Sequence, residues 1–167
     1  MDGIAEITVA APGPLVEILV GMIGLVVIIF VHGAALRVIT RRFNRSWVGV
    51  TAGGPHWRAN LLLGVTIAAL SLTHFAETLI WAIPISGAGM IPAMRDSYFF
   101  VLQSYTTLGA GDVTLPDPWR LIGPIIAMSG LFTFSWTAGV LVSVMTEFGK
   151  LDRAGAELGR EERSDPD

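Results

Sequence analysis

The sequence predicts an all-α integral membrane protein with three spanning helices and one short re-entrant helix. Three observations carry that expectation. The 167-residue chain is 52% hydrophobic and only 15% charged, with a mean hydropathy of +0.61, a composition of membrane proteins rather than of one soluble core. Three apolar stretches, 15–36, 60–83 and 119–148, are each long enough to cross a hydrocarbon core about 30 Å thick. A fourth, Ile91–Tyr105, is too short to cross, and it runs into Thr106-Thr107-Leu108-Gly109-Ala110-Gly111-Asp112. That run is too rich in Gly and Thr to span as helix, and non-helical backbone survives at membrane depth only where protein or a water-filled path satisfies it.

Residues 1–14 contain Pro and Gly, carry Asp2 and Glu6, and have no Lys or Arg. A secretory signal opens on a basic region, so cleavage is not expected. Leu15–Leu36 is the first span. Gly21, Gly24, Gly33 and Ala34 would admit a neighbouring helix closely, although Gly21 and Gly24 do not make a GxxxG pair. Only Arg37, at its end, is basic, so this span lacks the regular arginines of a voltage sensor.

Arg37, Arg41, Arg42, Arg45 and Arg58 crowd the next connection, with Trp47 and Trp57 as interfacial anchors and Thr51–Pro55 as a turn. Arginines this dense mark a cytoplasmic loop, which puts the N-terminus outside and the C-terminus inside. Contact with anionic lipid headgroups is a second use for them. Asn60–Ile83 returns outward and is broken at Pro84–Gly89. Pro92 suits the first turn of the short helix that follows. After the Gly-rich run, Asp117 is placed to cap the last span, with Pro118 at its first position. Pro124 is expected to bend that span. The tail 149–167 mixes Arg, Lys, Glu and Asp and extends the helix by a few turns at most.

Two residues stand out within the second span. His74 and Glu77 are three apart and share a helix face. Ionisable groups inside a span are costly and face protein or water. Counted from the ends of the apolar runs, His32 lies nearer the inner surface and Glu17 nearer the outer, so neither is a level partner. The expected neighbours of His74 and Glu77 are instead Ser97, Tyr98 or Gln103 of the short helix. The pair is either a proton-sensitive brace or a hydrogen-bonded packing device. With two ligands per chain, zinc is not expected unless subunits share a site. Nor is an intramembrane enzyme, because His32, His74 and Glu77 do not reach one depth with a nucleophile. The absence of cysteine excludes disulfides and thiolate metal sites. The small net charge of -3 gives no reason to invoke nucleic acid.

Thr107-Leu108-Gly109-Ala110-Gly111-Asp112 resembles the T-V-G-Y-G-D filter of tetrameric potassium channels. Ser97–Tyr105 before it is similar to their pore helix, and Trp119-Arg120-Leu121 with Gly130 after it is similar to their outer mouth and inner-helix hinge. The likeness covers roughly 92–148. With the apolar spans and the arginine distribution, it gives an expected extracytoplasmic segment 1–14, an extra helix and Arg-rich cytoplasmic linker at 15–58, a pore domain at 59–148 and a cytoplasmic tail at 149–167. Within the pore domain it implies an outer helix 60–83, a pore helix 92–105, a filter 106–112 and an inner helix 118–148. It further implies a potassium-channel-like tetrameric pore. Carbonyls of Thr107, Leu108, Gly109, Ala110 and Gly111 would line stacked ion sites, with Asp112 at the outer mouth and Gln103, Tyr105, His74 and Glu77 supporting the filter. Aligning Arg120-Leu121 puts Gly130 at the hinge and Leu131, Phe134, Ala138 and Val142 on the pore face. The other use of Gly130 is close packing.

The departure is Ala110, which stands where that family has an aromatic brace. The implied function is passive conduction of potassium by a homotetramer in contact with membrane lipids, with no cofactor beyond permeant K+ and no enzymatic activity. A pore that also passes Na+, and a non-conducting scaffold or sensor, are the alternatives. A bacterial inner (plasma) membrane is the expected location.

Overall fold

The computed structural model describes residues 13–51, 56–109 and 111–164. They form four α-helices and one 3₁₀ turn: α1 Pro14–Thr51, α2 His56–Gly87, α3 Met94–Tyr105, the turn Asp117–Trp119, and α4 Ile122–Ser164. No strand occurs among the described residues. Three of the helices are long and apolar enough to cross a membrane, and the fold is all-helical and membrane-integral. Only 17% of the most apolar window of α1 and of α2, and 28% of that of α4, is buried within the chain. The remaining apolar surface must therefore meet lipid or further chains.

The long helices outrun their apolar stretches. α1 has 38 residues and α4 has 43, or about 57 and 65 Å at 1.5 Å per residue, roughly twice a hydrocarbon core. The arginine-rich stretch expected as a linker is thus helical to Thr51, because Arg is a good helix former and its charge can face water. The tail likewise stays helical to Ser164. The second span is not broken at Pro84. It continues to Gly87, and Gly89 then takes a left-handed φ of 71°. The Met90 N–H bonds the Ile85 carbonyl and the Gly89 N–H bonds the Ser86 carbonyl, a Schellman ending for which glycine has no steric penalty.

Three further expectations shift. Pro92 lies outside α3, whose N-cap is Ala93. Asp117 makes no side-chain cap; it opens the 3₁₀ turn and pairs with Arg120 at 3.1 Å. Pro124 falls in the first turn of α4, where its missing N–H removes no helical bond, so it has no cause to bend the helix. The turn at 52–55 and residues 1–12 lie outside the described residues.

The chain divides into two compact units. The first combines the start of α1, the end of α2, α3, the 3₁₀ turn and the start of α4. Buried Ser97 donates to the Ala82 carbonyl at 3.0 Å, and Thr78 donates to the Tyr98 hydroxyl at 3.2 Å. These two bonds fasten α3 to α2. Trp81 donates from Nε1 to Ser129 Oγ at 3.2 Å, and its ring occupies the space that a side chain at Gly24 would need, 2.3 Å from that Cβ position. Buried Glu17 receives the Leu121 N–H at 3.0 Å. Its carboxylate satisfies a donor that the start of α4 would otherwise leave orphaned.

The second unit is a bundle of the remaining parts of α1, α2 and α4. Phe43, Ala59, Val144 and Phe148 form its core, with Trp47 stacked on Phe43 and 4.6 Å from the Phe148 ring. Trp47 is therefore a packing residue as much as an interfacial one. Trp136 lies over Gly33 as Trp81 lies over Gly24, its ring 2.9 Å from the missing Cβ.

Glu17→Ala strips the Leu121 N–H of its acceptor and is expected to cost about 1–3 kcal/mol. Glu17→Gln keeps an acceptor oxygen and should cost less. Unfolding midpoints in mixed detergent micelles measure both, and equal losses would show that accepting this hydrogen bond is not what Glu17 contributes.

Candidate functional site: the loop after α3 and the buried histidine–glutamate cluster

α3 has 12 residues, about 18 Å of helix, and is too short to cross a membrane. Its end is built like that of α2. The Leu108 N–H bonds the Gln103 carbonyl at 2.9 Å and the Thr107 N–H bonds the Ser104 carbonyl at 3.0 Å. The residue in the left-handed position is Thr107, at φ 58°. A β-branched residue there is a genuine outlier and carries strain of about 1–3 kcal/mol. Glycine there would relieve it. Gly109 follows at φ 98°.

Thr106 to Gly109, Gly111 and Asp112 are exposed, and Leu108 is 77% exposed. Ala110 lies outside the described residues. Gln103 Oε1 accepts the Gly111 N–H at 3.3 Å, so the side chain of α3 reaches forward to hold the far end of the loop. A cavity of about 380 Å³ opens beside the loop, lined by Thr107, Gly109, Phe100, Leu115, Gly123 and Ala127 among others.

What fixes the end of α3 is the packing of Tyr105 on α4. Tyr105 is 1% exposed. A Cβ at Gly130 would lie 2.0 Å from the Tyr105 carbonyl oxygen, a contact that no side chain can make. α4 runs on helically through Gly130. The role visible for this glycine is thus close approach, the second of the two uses expected from sequence.

The matched family is now informative. Residues 61–147, more than half of the 167-residue chain, match the family described as an ion channel. The chain belongs to this ion-channel family. No curated protein and no solved structure matches it. α1 lies outside the matched span, which takes in α2, α3, the loop and most of α4.

In the channel's second unit, α4 buries Thr133, Val144 and Phe148 on one face, with Thr137 and Val140 half-buried beside them. Leu131, Phe134, Ala138 and Val142 are exposed and centre about 120° around the helix from that face at 3.6 residues per turn. Phe134, at the edge of this stripe, also lies with its ring 4.5 Å from that of His74.

The same unit corrects the reading of the buried charges. His32 Nδ1 lies 2.7 Å from Glu77 Oε1, and both residues are fully buried. His74 Nδ1 is 3.6 Å from Glu77 Oε2. Thr137 Oγ1 lies 3.2 Å from His32 Nε2 and 3.1 Å from His74 Nε2. His32 is therefore the partner that the depth count rejected. That count took the apolar run's end at Leu36 as the helix end, whereas α1 continues about four turns further to Thr51. Ser97, Tyr98 and Gln103, the neighbours expected for His74 and Glu77, bond instead to Ala82, Thr78 and Gly111. The signal that sequence reasoning passed over was chemical. An ionisable group in each of two spans asks for its counterpart, whatever its apparent depth.

Gly130→Ala drives a methyl into the Tyr105 carbonyl and is expected to destabilise the protein by about 1–3 kcal/mol. Gly139, with nothing within 4 Å of its Cβ position, is the control. Gly139→Ala should be neutral or stabilising by up to about 1 kcal/mol, as in any open helix position. Unfolding midpoints that fall together would refute the close seat of Tyr105.

Proposed function

We propose that this ion channel conducts potassium passively through a filter assembled from the 106–112 loops of four identical chains. The observation that carries the reading is the exposed loop itself. Thr107 and Gly109 hold left-handed backbone directly after a helix too short to cross a membrane, in a chain with three spanning helices. Exposed backbone of this kind is tolerated inside a membrane only where it lines a water-filled path. Carbonyls turned one way by such dihedrals can replace an ion's hydration shell. One copy cannot surround an ion, and closed cyclic symmetry is the usual way to supply the rest.

In this reading the C-terminal end of α3 turns its partial negative charge toward the cation, Asp112 concentrates cations at the mouth, and Gln103 and Tyr105 hold the loop. Leu131, Phe134, Ala138 and Val142 line the pathway. The arginines at 37–45 face the cytoplasm and the N-terminus lies outside.

A second reading is favoured by one observation. Within a single chain the loop borders a 380 Å³ cavity, and the sequence offers only the methyl of Ala110 where an aromatic brace is expected. A loosely held ring discriminates less, and one factor of ten in selectivity is only about 1.4 kcal/mol.

Reconstituted protein should pass K+ with a bi-ionic reversal potential that favours K+ over Na+, and Ala110→Tyr should increase that preference. Cross-linking in the same lipid should trap four chains. Absence of cation flux from a folded tetramer would overturn conduction, a strictly monomeric protein would overturn the shared filter, and equal K+ and Na+ permeability would decide for the second reading.

A further inference from the structure

We propose that His32, His74 and Glu77 form a binding site for a divalent transition-metal ion, of which zinc best fits the donors. The three offer two imidazoles and one carboxylate, with ligand atoms within 4.8 Å of one another. That donor set, with one position left open, is a common one for zinc, and imidazole donors select the later first-row ions over magnesium or calcium. The site is independent of whether the filter conducts.

The distances point the same way. At 3.6 Å, His74 Nδ1 and Glu77 Oε2 are too far apart for a hydrogen bond. Two donors each about 2.0–2.1 Å from a tetrahedral zinc are separated by about 3.3 Å, so this gap already has the width an ion needs. The 2.7 Å contact of His32 Nδ1 ends on the carboxylate's other oxygen, Oε1, and gives way when both imidazoles share an ion with Oε2. Thr137 supplies the outer support. Its hydroxyl oxygen sits within 3.2 Å of both Nε2 atoms and has two lone pairs, enough to accept both N–H groups. Both rings are then held with Nδ1 turned to the ion, the arrangement that metal-bound histidines usually have.

The surroundings suit a closed site with one approach. The side chains of His32 and Glu77 are fully buried, while that of His74 is 13% exposed and marks the side of entry. The Trp136 ring, 5.8 Å from that of His32, and the Phe134 ring on His74 wall the cluster with apolar surface. A carboxylate in such a place is stabilised by a cation far more than by water it cannot reach.

The test uses tag-free full-length protein in detergent, stripped with a chelator and desalted. Titration with Zn2+ by calorimetry should find one ion per chain. Co2+ should develop the intense visible absorption of a four-coordinate site. Glu77→Gln preserves shape and one acceptor oxygen but should lower zinc affinity at least 100-fold. Thr137→Val, which leaves all three ligands in place, should lower it about 10- to 100-fold. Wild type that binds Zn2+ no more tightly than Glu77→Gln, or Co2+ that keeps the pale six-coordinate spectrum of its aqua ion, overturns the proposal and leaves the cluster as a hydrogen-bonded packing device. The cobalt spectrum of the wild type decides even if a variant fails to fold.

Discussion

The contact between the Tyr105 carbonyl and the bare backbone of Gly130 is the constraint on which the site depends. A short helix that does not cross the membrane has no lipid-facing length to define its position. It is held only by what it touches: Ser97 on the Ala82 carbonyl, Tyr98 on Thr78, and Tyr105 against α4. The first two bonds fix its flank. The third fixes its last residue, and the two left-handed residues of the loop come directly after it. A methyl added at Gly130 would push on the end of α3 and so on the loop, because close-packed interiors transmit strain.

Much of this was legible in the residues. Apolar length gave the three spans, and the short apolar segment before Thr107–Asp112 gave α3 to within two residues of its start, at Met94 rather than Pro92. Helix ends were less legible, since apolar content marks the lipid and not the helix. Arg41, Arg42 and Arg45 leave lipid yet keep helical backbone. Pro84 and Pro124 looked like interruptions, but α2 runs on past Pro84 for one more turn, and Pro124 lies in the first turn of α4, where proline costs least. Gly130 stood out in the sequence as a hinge or a close-packing position; the contact with the Tyr105 carbonyl uses its smallness.

The cluster around Glu77 was half legible. His74 and Glu77 are one helical turn apart and declare themselves. His32 is 45 residues from Glu77, and no periodicity connects them. What connects them is the cost of an unpartnered charge in a low-dielectric interior, which makes each buried ionisable group a question about another. Thr137 was invisible for a different reason. A hydroxyl in a span usually bonds its own helix, and nothing in its neighbours announces that it faces two imidazoles.

The arrangement of α1 bears on how separable this protein's parts are. The family match begins at residue 61, so α1 looks like an addition to a two-span unit that is complete without it. The contacts say otherwise. α1 supplies the recess for Trp81 at Gly24 and for Trp136 at Gly33, the acceptor for the Leu121 N–H, and the imidazole bonded to Glu77. Cutting the chain before α2 would uncover two indoles, an orphaned donor and a buried acid at once. In this chain the shorter unit leans on α1 for its packing, and a minimal pore made by truncation would have to be redesigned rather than excised.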